Sequence, residues 1–267
     1  MKSTGNSSVF RDARASFREY LQRRRAPADF RQRAAQTLTA NAPLLKATAQ
    51  QRVLRGIGPD SDLVFKFYSD LGPLSLFRPS RARRAFAATQ AARAQGVPFA
   101  EALGYVEYTT GIAPFTSCLI MRFIPNATTL HDWMRRNHRH LTPEQWTQWR
   151  ERLLDFWLNL ERSGIYHDDT KTLNILIQTP PDAPTQLWWI DPESVHPGRR
   201  PSRRQLLRNL VQLNGSLRSW VPDEQRLLFL QEVAQIHPWL RVPAVEQKIR
   251  DWTRQRLLNE IKTRCGP

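Results

Sequence analysis

The sequence is poor in cysteine, in acidic side chains and in long apolar runs. Its two cysteines, Cys118 and Cys265, are too far apart in 267 residues to form the close pair typical of a zinc site. We expect both to be reduced thiols in a cytoplasmic protein. No apolar run approaches the roughly 20 residues that span a bilayer, and residues 1–8 lack the apolar segment of a secretory signal. Any membrane contact is therefore expected to be peripheral, at the inner face of the cytoplasmic membrane.

Basic residues greatly outnumber acidic ones. The chain has 40 Lys and Arg against 24 Asp and Glu, a formal net charge of +16 and a pI near 11.0. This excess predicts a polyanionic partner, whether nucleic acid, an anionic membrane surface or a phosphorylated substrate. General surface basicity is the simpler alternative. A hydrophobic content of 40% and nine tryptophans indicate a folded protein of one large or two small lobes.

The basic residues are concentrated in two runs. From residue 10 to about residue 41, arginines alternate with spaced apolar positions, which predicts one or two amphipathic helices broken near Pro27. A second run occupies residues 198–204. Each run is either a solvated charged face or a surface that docks on anionic lipid, sugar phosphate or another anionic acceptor.

The most informative stretch is residues 165–177, in which His167, Asp169, Lys171 and Asn174 form the pattern H-x-D-x-K-x-x-N before an apolar strand. This pattern resembles the catalytic loop of protein-kinase-like phosphotransferases. Phosphoryl transfer needs a carboxylate to orient and deprotonate the attacking hydroxyl, and cations to spread the phosphate charge. Asp169 would be the carboxylate and Lys171 the nearby cation. A chance match in an ordinary turn is the alternative.

A second motif follows at a distance typical of a β-hairpin. Residues 175–177 and 187–190 are short apolar runs, and the segment between them has the composition of a turn. The second run leads into Asp191-Pro192-Glu193. A hairpin would bring Asn174 and Asp191 side by side, and their amide and carboxylate oxygens are suitable ligands for Mg²⁺. The sequence therefore predicts a magnesium site here.

Upstream, residues 44–47, 51–56 and 62–68 predict three antiparallel strands. Lys66 lies within the third strand, where a kinase-like small lobe has the lysine for the α- and β-phosphates. A lysine on the solvent face of an edge strand is the alternative. The turn after the first strand contains no glycine, so a G-x-G-x-x-G phosphate loop is absent. Backbone N–H groups and Thr48 would have to cover the nucleotide instead.

A helix is predicted from about residue 81 to Gln95, with Ser80 as its N-cap and Gly96 after its C-terminus. A kinase normally has a glutamate in this helix that pairs with the strand lysine, but no acid occurs between Arg81 and Gln95. This absence counts against the usual ion pair and weakens the prediction of activity.

Residues 106–108 and 117–124 predict two more strands. The second would end in a hinge at which the backbone of Met121 and Phe123 binds an adenine; an ordinary buried strand end is equally consistent. Thr142 followed by Pro143 and Gln145 predicts a capped helix, whose apolar spacing is typical of a core helix.

Several segments together resemble the bacterial lipopolysaccharide kinase family, whose members phosphorylate Kdo or heptose in the inner core. They are the two catalytic motifs, Arg-Pro-Ser-Arg-Ala-Arg-Arg at 78–84, Gly-Val-Pro at 96–98 and Arg-Asn-Leu-Val-Gln-Leu-Asn at 208–214. The resemblance extends from about residue 44 to residue 235.

The resemblance implies an α+β, bilobal protein-kinase-like fold. A small antiparallel-sheet N-lobe would occupy residues 44–124 and a mainly helical C-lobe residues 125–267, after a basic helical arm over residues 1–43. It also implies transfer of the ATP γ-phosphate to a sugar hydroxyl, with ATP and Mg²⁺ as cofactors and a sugar or glycolipid as acceptor.

The same resemblance assigns roles to individual residues. It implies that Lys66 holds ATP, that Asp169 acts as base, and that Asn174 and Asp191 hold Mg²⁺. Glu193 would either assist the metal or only cap the following turn.

Other functions compete with this interpretation. A pseudokinase that binds without turnover is suggested by the missing helix glutamate and glycine loop, although Asp169, Asn174 and Asp191 are all present. A kinase for small molecules or proteins is also consistent with the motifs. A nucleic-acid-binding domain would explain the charge, but the chain lacks a basic-aromatic strand motif or recognition helix.

Overall fold

The computed structural model describes residues 30–40, 42–69, 78–112, 115–180, 184–198, 200–241, 247–251, 253–255 and 258–259. The chain divides into two compact units. The first contains Met1–Ala87 and Glu101–Phe123, and the second contains Ala88–Ala100 and Ile124–Pro267. Of the helical segment predicted from residue 10 to about residue 41, residues 10–29 and 41 lie outside the described residues.

The first unit is built around an antiparallel sheet. The three predicted strands are confirmed as β1 (Leu44–Thr48), β2 (Gln51–Arg55) and β3 (Leu63–Tyr68), which pair in sequence order. Two longer strands complete the described sheet, β4 (Ala102–Ile112) and β5 (Phe115–Arg122). The strand order is β1-β2-β3-β5-β4, so β5 lies between β3 and β4.

One face of this sheet is covered by helix α1 (Phe30–Thr39). Phe30 and Ala34 of the helix are buried against Phe65 and Phe67 of β3 and Ile120 of β5. The three sheet side chains are 0% exposed. This apolar cluster fixes β3 and β5 at the centre of the unit.

Helix α2 (Arg81–Ala94) begins and ends as its sequence predicts. The Ser80 hydroxyl accepts a hydrogen bond from the Arg83 N–H at 3.1 Å, which caps the first turn. At the other end Gly96 has a φ of +77°, and the Val97 N–H donates to the Ala92 carbonyl at 3.1 Å. The helix contains no acidic residue, so it lacks the glutamate that in a kinase normally pairs with the strand lysine. The boundary between the two units falls within this helix.

The second unit is mainly helical. Its four longer described helices are α3 (Leu130–Asn137), α4 (Pro143–Arg162), α5 (Arg203–Leu217) and α6 (Asp223–Ile236). The predicted capping box of α4 is confirmed, because Thr142 and Gln145 exchange side-chain to backbone hydrogen bonds. The inward face of α4 is buried, and its members are Trp146, Leu153, Phe156, Trp157, Leu158 and Leu160. This helix therefore forms the core of the unit, as its apolar spacing predicts.

Two small sheets position the loops of the second unit. The predicted hairpin is confirmed as β8 (Ile175–Gln178) and β9 (Gln186–Trp189), with Ile175 opposite Trp189 and β6 (Ala127–Thr129) on the other side of β8. Trp189 is 0% exposed and stacks on Phe156 with a centroid distance of 4.6 Å. Strands β7 (Tyr166–His167) and β10 (Val195–His196) form the second sheet. Within the described ranges, none of the helices has the length and apolar content needed to cross a bilayer.

Candidate active site

The predicted catalytic loop connects β7 to β8 in the second unit. Its Asp169 carboxylate is held by two neighbours from the same loop. Asn174 donates from Nδ2 to Asp169 Oδ2 at 2.8 Å and to the Asp169 carbonyl at 2.9 Å. The Lys171 ammonium lies 2.8 Å from the same Oδ2. The structure therefore brings the three residues of the D-x-K-x-x-N pattern into one hydrogen-bonded group.

His167 connects this loop to the end of β9. Its side chain is 0% exposed. Nδ1 accepts a hydrogen bond from the Asp169 N–H at 3.2 Å, which requires Nε2 to carry the proton and donate to the Ile190 carbonyl at 3.4 Å. Burial lowers the pKa of His167, because it disfavours the charged imidazolium, although the nearby Asp191 carboxylate acts in the opposite direction. His167 is therefore a neutral link whose tautomer is set by two backbone groups.

Asp191 lies one residue beyond Ile190, the residue that follows β9 and whose N–H donates to the Asn174 carbonyl at 3.0 Å. Its backbone is left-handed, with φ +70° and ψ +58°. This conformation is uncommon for residues other than glycine, although Asp tolerates it better than most. No pattern in the sequence predicts this conformation. A constrained backbone at a predicted functional residue is typical of sites in which a side chain must point in one direction.

The residues at this position fit a magnesium ion. Asn174 uses its Nδ2 for Asp169, so its amide oxygen Oδ1 is directed elsewhere and is a suitable hard ligand. Asp191, the residue after Ile190, supplies carboxylate oxygens. No group of three or more His, Cys, Asp and Glu side chains that could hold a metal occurs in the described part of the chain. Mg²⁺ binds through one or two carboxylates and completes its shell with water and phosphate oxygens.

Glu193 is the middle residue of the short 3-10 helix Pro192–Ser194 and is half-buried. The Ser194 hydroxyl donates to Asp191 Oδ2 at 3.5 Å, a long hydrogen bond. The turn therefore packs against Asp191, and the role of Glu193 as a metal ligand stays a prediction.

Helix α5 anchors the catalytic loop through polar side chains that the sequence analysis did not assign to the site. The Gln212 amide bonds to the backbone of Asp168 and Thr170, and the Thr170 hydroxyl donates to the Asn209 carbonyl at 3.1 Å. The Thr172 N–H donates to the Ser216 hydroxyl at 3.1 Å. A signal was available, because Gln212 is a polar position on an otherwise apolar helix face, within the segment 208–214 that carries the family resemblance.

The sequence analysis also did not assign Asp168 to the site. Its N–H donates to the Ser194 carbonyl at 2.8 Å, and its carboxylate lies 3.4 Å from His196 Nε2. His196 stacks on Tyr166 with a centroid distance of 5.6 Å. These contacts tie the catalytic loop to the strand that follows Glu193.

The predicted nucleotide-binding residues lie in the first unit. Lys66 is in the middle of the sheet, with Val53 of β2 and Leu119 of β5 as its neighbours in register. Its side chain is 6% exposed, and Nζ lies 5.5 Å from the centroid of the Tyr68 ring. The alternative of a solvent-facing lysine on an edge strand is therefore wrong. Thr48 is exposed at the end of β1, opposite Gln51 across a two-residue turn.

The predicted hinge residues lie at the end of β5. Met121 is buried at 6% exposure and pairs in register with Val64 and Ala102. The Phe123 N–H donates to the Asp62 carbonyl at 2.7 Å. Adenine binding by this segment stays a prediction, in which Phe123 would take part through its carbonyl oxygen.

Comparison with known proteins gives a family and a fold. The family model described as lipopolysaccharide kinase (Kdo/WaaP) matches residues 63–232, more than half of the chain. No match was found among the curated proteins. A solved structure of WaaP in complex with acyl carrier protein is similar with a TM-score of 0.61 at 18% identity, over 82% of this chain and 92% of that chain.

At that identity the structural likeness concerns the fold, and it confirms the predicted α+β protein-kinase-like architecture. The family model spans both the Lys66 strand and the catalytic loop, as well as the α5 segment that anchors the loop. The chain belongs to the lipopolysaccharide kinase (Kdo/WaaP) family.

Proposed function

We propose that this protein is an ATP-dependent kinase that transfers the γ-phosphate to a sugar hydroxyl of a lipopolysaccharide core. Membership of the lipopolysaccharide kinase family supports a phosphotransferase acting on lipopolysaccharide. Beyond the family, we propose the identity of the nucleotide, of the metal and of the acceptor group.

The observation that carries this proposal is the arrangement around Asp169. Among the described residues, the side-chain contacts of its carboxylate, from Asn174 and Lys171, both involve Oδ2. This arrangement leaves Oδ1 to accept the proton of an attacking hydroxyl. A general base must lie within hydrogen-bond reach of the proton that it removes, and its orientation must be fixed beforehand. Asn174, Lys171 and the buried His167 provide that orientation.

The remaining roles follow from chemistry and position. Asn174 and Asp191 would hold Mg²⁺, which when bound neutralises the negative charge of the nucleotide phosphates. Lys171 carries a positive charge beside the base and is suited to stabilising charge on the transferred phosphoryl group. In the first unit, Lys66 would bind the nucleotide phosphates, and Thr48, Met121 and Phe123 would contact the rest of the nucleotide.

The acceptor and the site of action are consistent with the charge of the chain. A protein of net charge +16 is attracted to anionic glycolipids and to anionic leaflet surfaces. We propose that it acts at the cytoplasmic face of the membrane on a phosphorylated or carboxylated core glycan. Attraction of this kind is sensitive to ionic strength, since salt screens surface charge over about 8 Å at physiological concentration.

The proposal is tested by phosphate transfer from ATP with Mg²⁺, comparing the wild type with Asp169→Asn. The amide keeps the size of the side chain but cannot accept the proton, so we expect the rate to fall by roughly 10²- to 10⁴-fold. Asp155→Asn is the matched control. Asp155 is an exposed acid on α4 that pairs with Arg162, and its replacement should leave the rate unchanged.

Two results would contradict the proposal. Turnover that survives in Asp169→Asn would remove the assignment of the base. Nucleotide binding by the wild type with no transfer to any core-glycan fraction would favour the pseudokinase alternative.

A further inference from the structure

We propose that Gln212 of α5 is a positioning residue that sets the orientation of Asp169 by clamping the peptide groups on either side of it. The inference rests on the proposed function of Asp169 as the base. Gln212 lies 43 positions beyond Asp169 in the sequence and belongs to a different element, so nothing in the catalytic motif itself identifies it.

The nitrogen and the oxygen of the Gln212 side-chain amide together form the clamp. Gln212 Nε2 donates to the Asp168 carbonyl at 2.8 Å. Its Oε1 accepts from the Thr170 N–H at 3.1 Å and from the Thr170 hydroxyl at 3.2 Å. Asp168 and Thr170 are the two neighbours of Asp169. The side chain is 8% exposed, so water competes little for these bonds.

The chemistry of the contact requires an amide. A donor is needed for a carbonyl and an acceptor for an N–H, and at neutral pH glutamine offers both without charge. A carboxylate would face the Asp168 carbonyl with no proton to donate. An apolar side chain would leave two buried backbone groups without partners, which is unfavourable. The clamp therefore holds the peptide on both sides of the base.

Other residues hold Asp169 itself. Asn174 and Lys171 contact its carboxylate, and His167 accepts a hydrogen bond from its N–H. Those contacts lie within the motif and on the strand before it, whereas Gln212 connects the loop to the packed helix α5. Loss of the clamp would let the peptide groups on either side of Asp169 shift while the hydrogen bonds within the loop persist. A displacement of about 1 Å at a catalytic group can lower the rate by about 100-fold.

Asn209 provides a matched control one turn earlier on the same helix. Its side chain is 3% exposed, and among the described residues its Oδ1 has no hydrogen-bond partner. Asn209 contacts the loop through its backbone carbonyl, which accepts from Thr170. Asn209→Leu therefore removes a buried amide of α5 without removing a side-chain bond to the catalytic loop.

The first experiment compares Gln212→Met with Asn209→Leu. Methionine has a similar length and favours helices, so the substitution removes both hydrogen bonds with little change of volume. We expect Gln212→Met to lower kcat by about 10- to 100-fold while the KM for ATP stays within about twofold. Asn209→Leu should keep kcat close to the wild-type value. Equal values of kcat in the two variants would overturn the proposal.

A second variant keeps the test decisive if Gln212→Met does not fold. In Gln212→Glu, the neutral acid has an O–H donor and a carbonyl acceptor, whereas the ionised form has no donor. The ratio of kcat for this variant to kcat for the wild type should therefore rise as the pH is lowered. Among the described residues, the ionisable groups in contact with the clamped segment include His167, Asp168, Asp169 and Lys171, with His196 beside Asp168, and all of them are common to both proteins. A ratio that does not change with pH would contradict the clamp.

A readout that does not need turnover separates this inference from the proposed function. The Thr170 N–H is bonded to Gln212, so its hydrogen exchange should be at least about tenfold faster in Gln212→Met than in Asn209→Leu. If the wild type fails to transfer phosphate, the proposed function fails, and this exchange rate alone decides whether the clamp exists. Unchanged exchange at Thr170 would overturn it.

Discussion

At the scale of single residues, the site depends on a buried neutral histidine. His167 joins the Asp169 N–H to the Ile190 carbonyl, and so couples the predicted base to the residue before the predicted metal ligand Asp191. Both bonds require the neutral tautomer with the proton on Nε2. Protonation would turn the Nδ1 acceptor into a donor facing the Asp169 N–H, and would place a charge in a fully buried position.

This arrangement predicts a particular dependence of stability on pH. Burial lowers the pKa of His167 in the folded chain below 6.5, its ordinary value in the unfolded chain. As the pH falls below about 6.5, the unfolded chain therefore binds a proton that the folded chain does not. The free energy of unfolding should decrease by up to about 1.4 kcal/mol per pH unit until the folded pKa is reached, and the contribution of His167 should be complete above that window.

The measurement is urea unfolding across that pH window for the wild type, His167→Gln and His140→Gln. The glutamine at 167 cannot titrate, so that variant should lose this part of the slope. His140 is exposed, and its variant should keep the wild-type slope. Identical slopes in all three proteins would contradict the assigned state of His167.

At the scale of elements, local signals predicted the hairpin and the capped helix of the second unit correctly. The hairpin of β8 and β9 and the start of α4 were predictable because the turn, cap and apolar spacing involve residues close together in sequence. The spacing of Asp169, Lys171 and Asn174 is likewise local. These interactions need no knowledge of the rest of the chain.

Other features of the site could not be predicted because they join distant parts of the chain. Gln212 reaches the catalytic loop from α5, and β5 lies between β3 and β4 instead of at the edge of the sheet. The left-handed backbone of Asp191 depends on the surrounding turn and loop, and no residue-type signal marks it. The polar Gln212 on the apolar face of α5 was the one available indication of a long-range anchor.

The capping box of α4 gives a prediction at the scale of an element. The Thr142 hydroxyl accepts from the Gln145 N–H at 3.3 Å, and Gln145 Oε1 accepts from the Thr142 N–H at 2.9 Å. Thr142→Ala should lower the free energy of unfolding by about 1 kcal/mol, because it leaves a helix N–H without its cap. Chemical denaturation measures this change.

Thr147→Ala is the control, because Thr147 lies in the same helix and, among the described residues, its hydroxyl donates to the Pro143 carbonyl of that helix at 3.2 Å. Alanine favours helix more than threonine does, so this variant should be neutral or slightly more stable. An equal loss of stability in both variants would show that the cap contributes nothing specific.

At the scale of the whole molecule, the two units contribute different parts of the proposed chemistry. The first contains Lys66 and the predicted nucleotide contacts, and the second contains the base, the predicted metal ligands and the α5 anchor. The family model matches a continuous region, residues 63–232, that contains both sets. The net charge of +16 adds attraction to anionic acceptors, but it does not distinguish a glycolipid from other polyanions.

The central claim, γ-phosphate transfer to a lipopolysaccharide core sugar with Asp169 as base, is tested most directly by following labelled phosphate into core-glycan fractions. With ATP labelled at the γ position, the wild type should incorporate label in a Mg²⁺-dependent reaction, and Asp169→Asn should reduce the rate by orders of magnitude. ATP labelled at the α position should give no incorporation. Label that enters the glycan from the α position, or equally well in Asp169→Asn, would contradict the account.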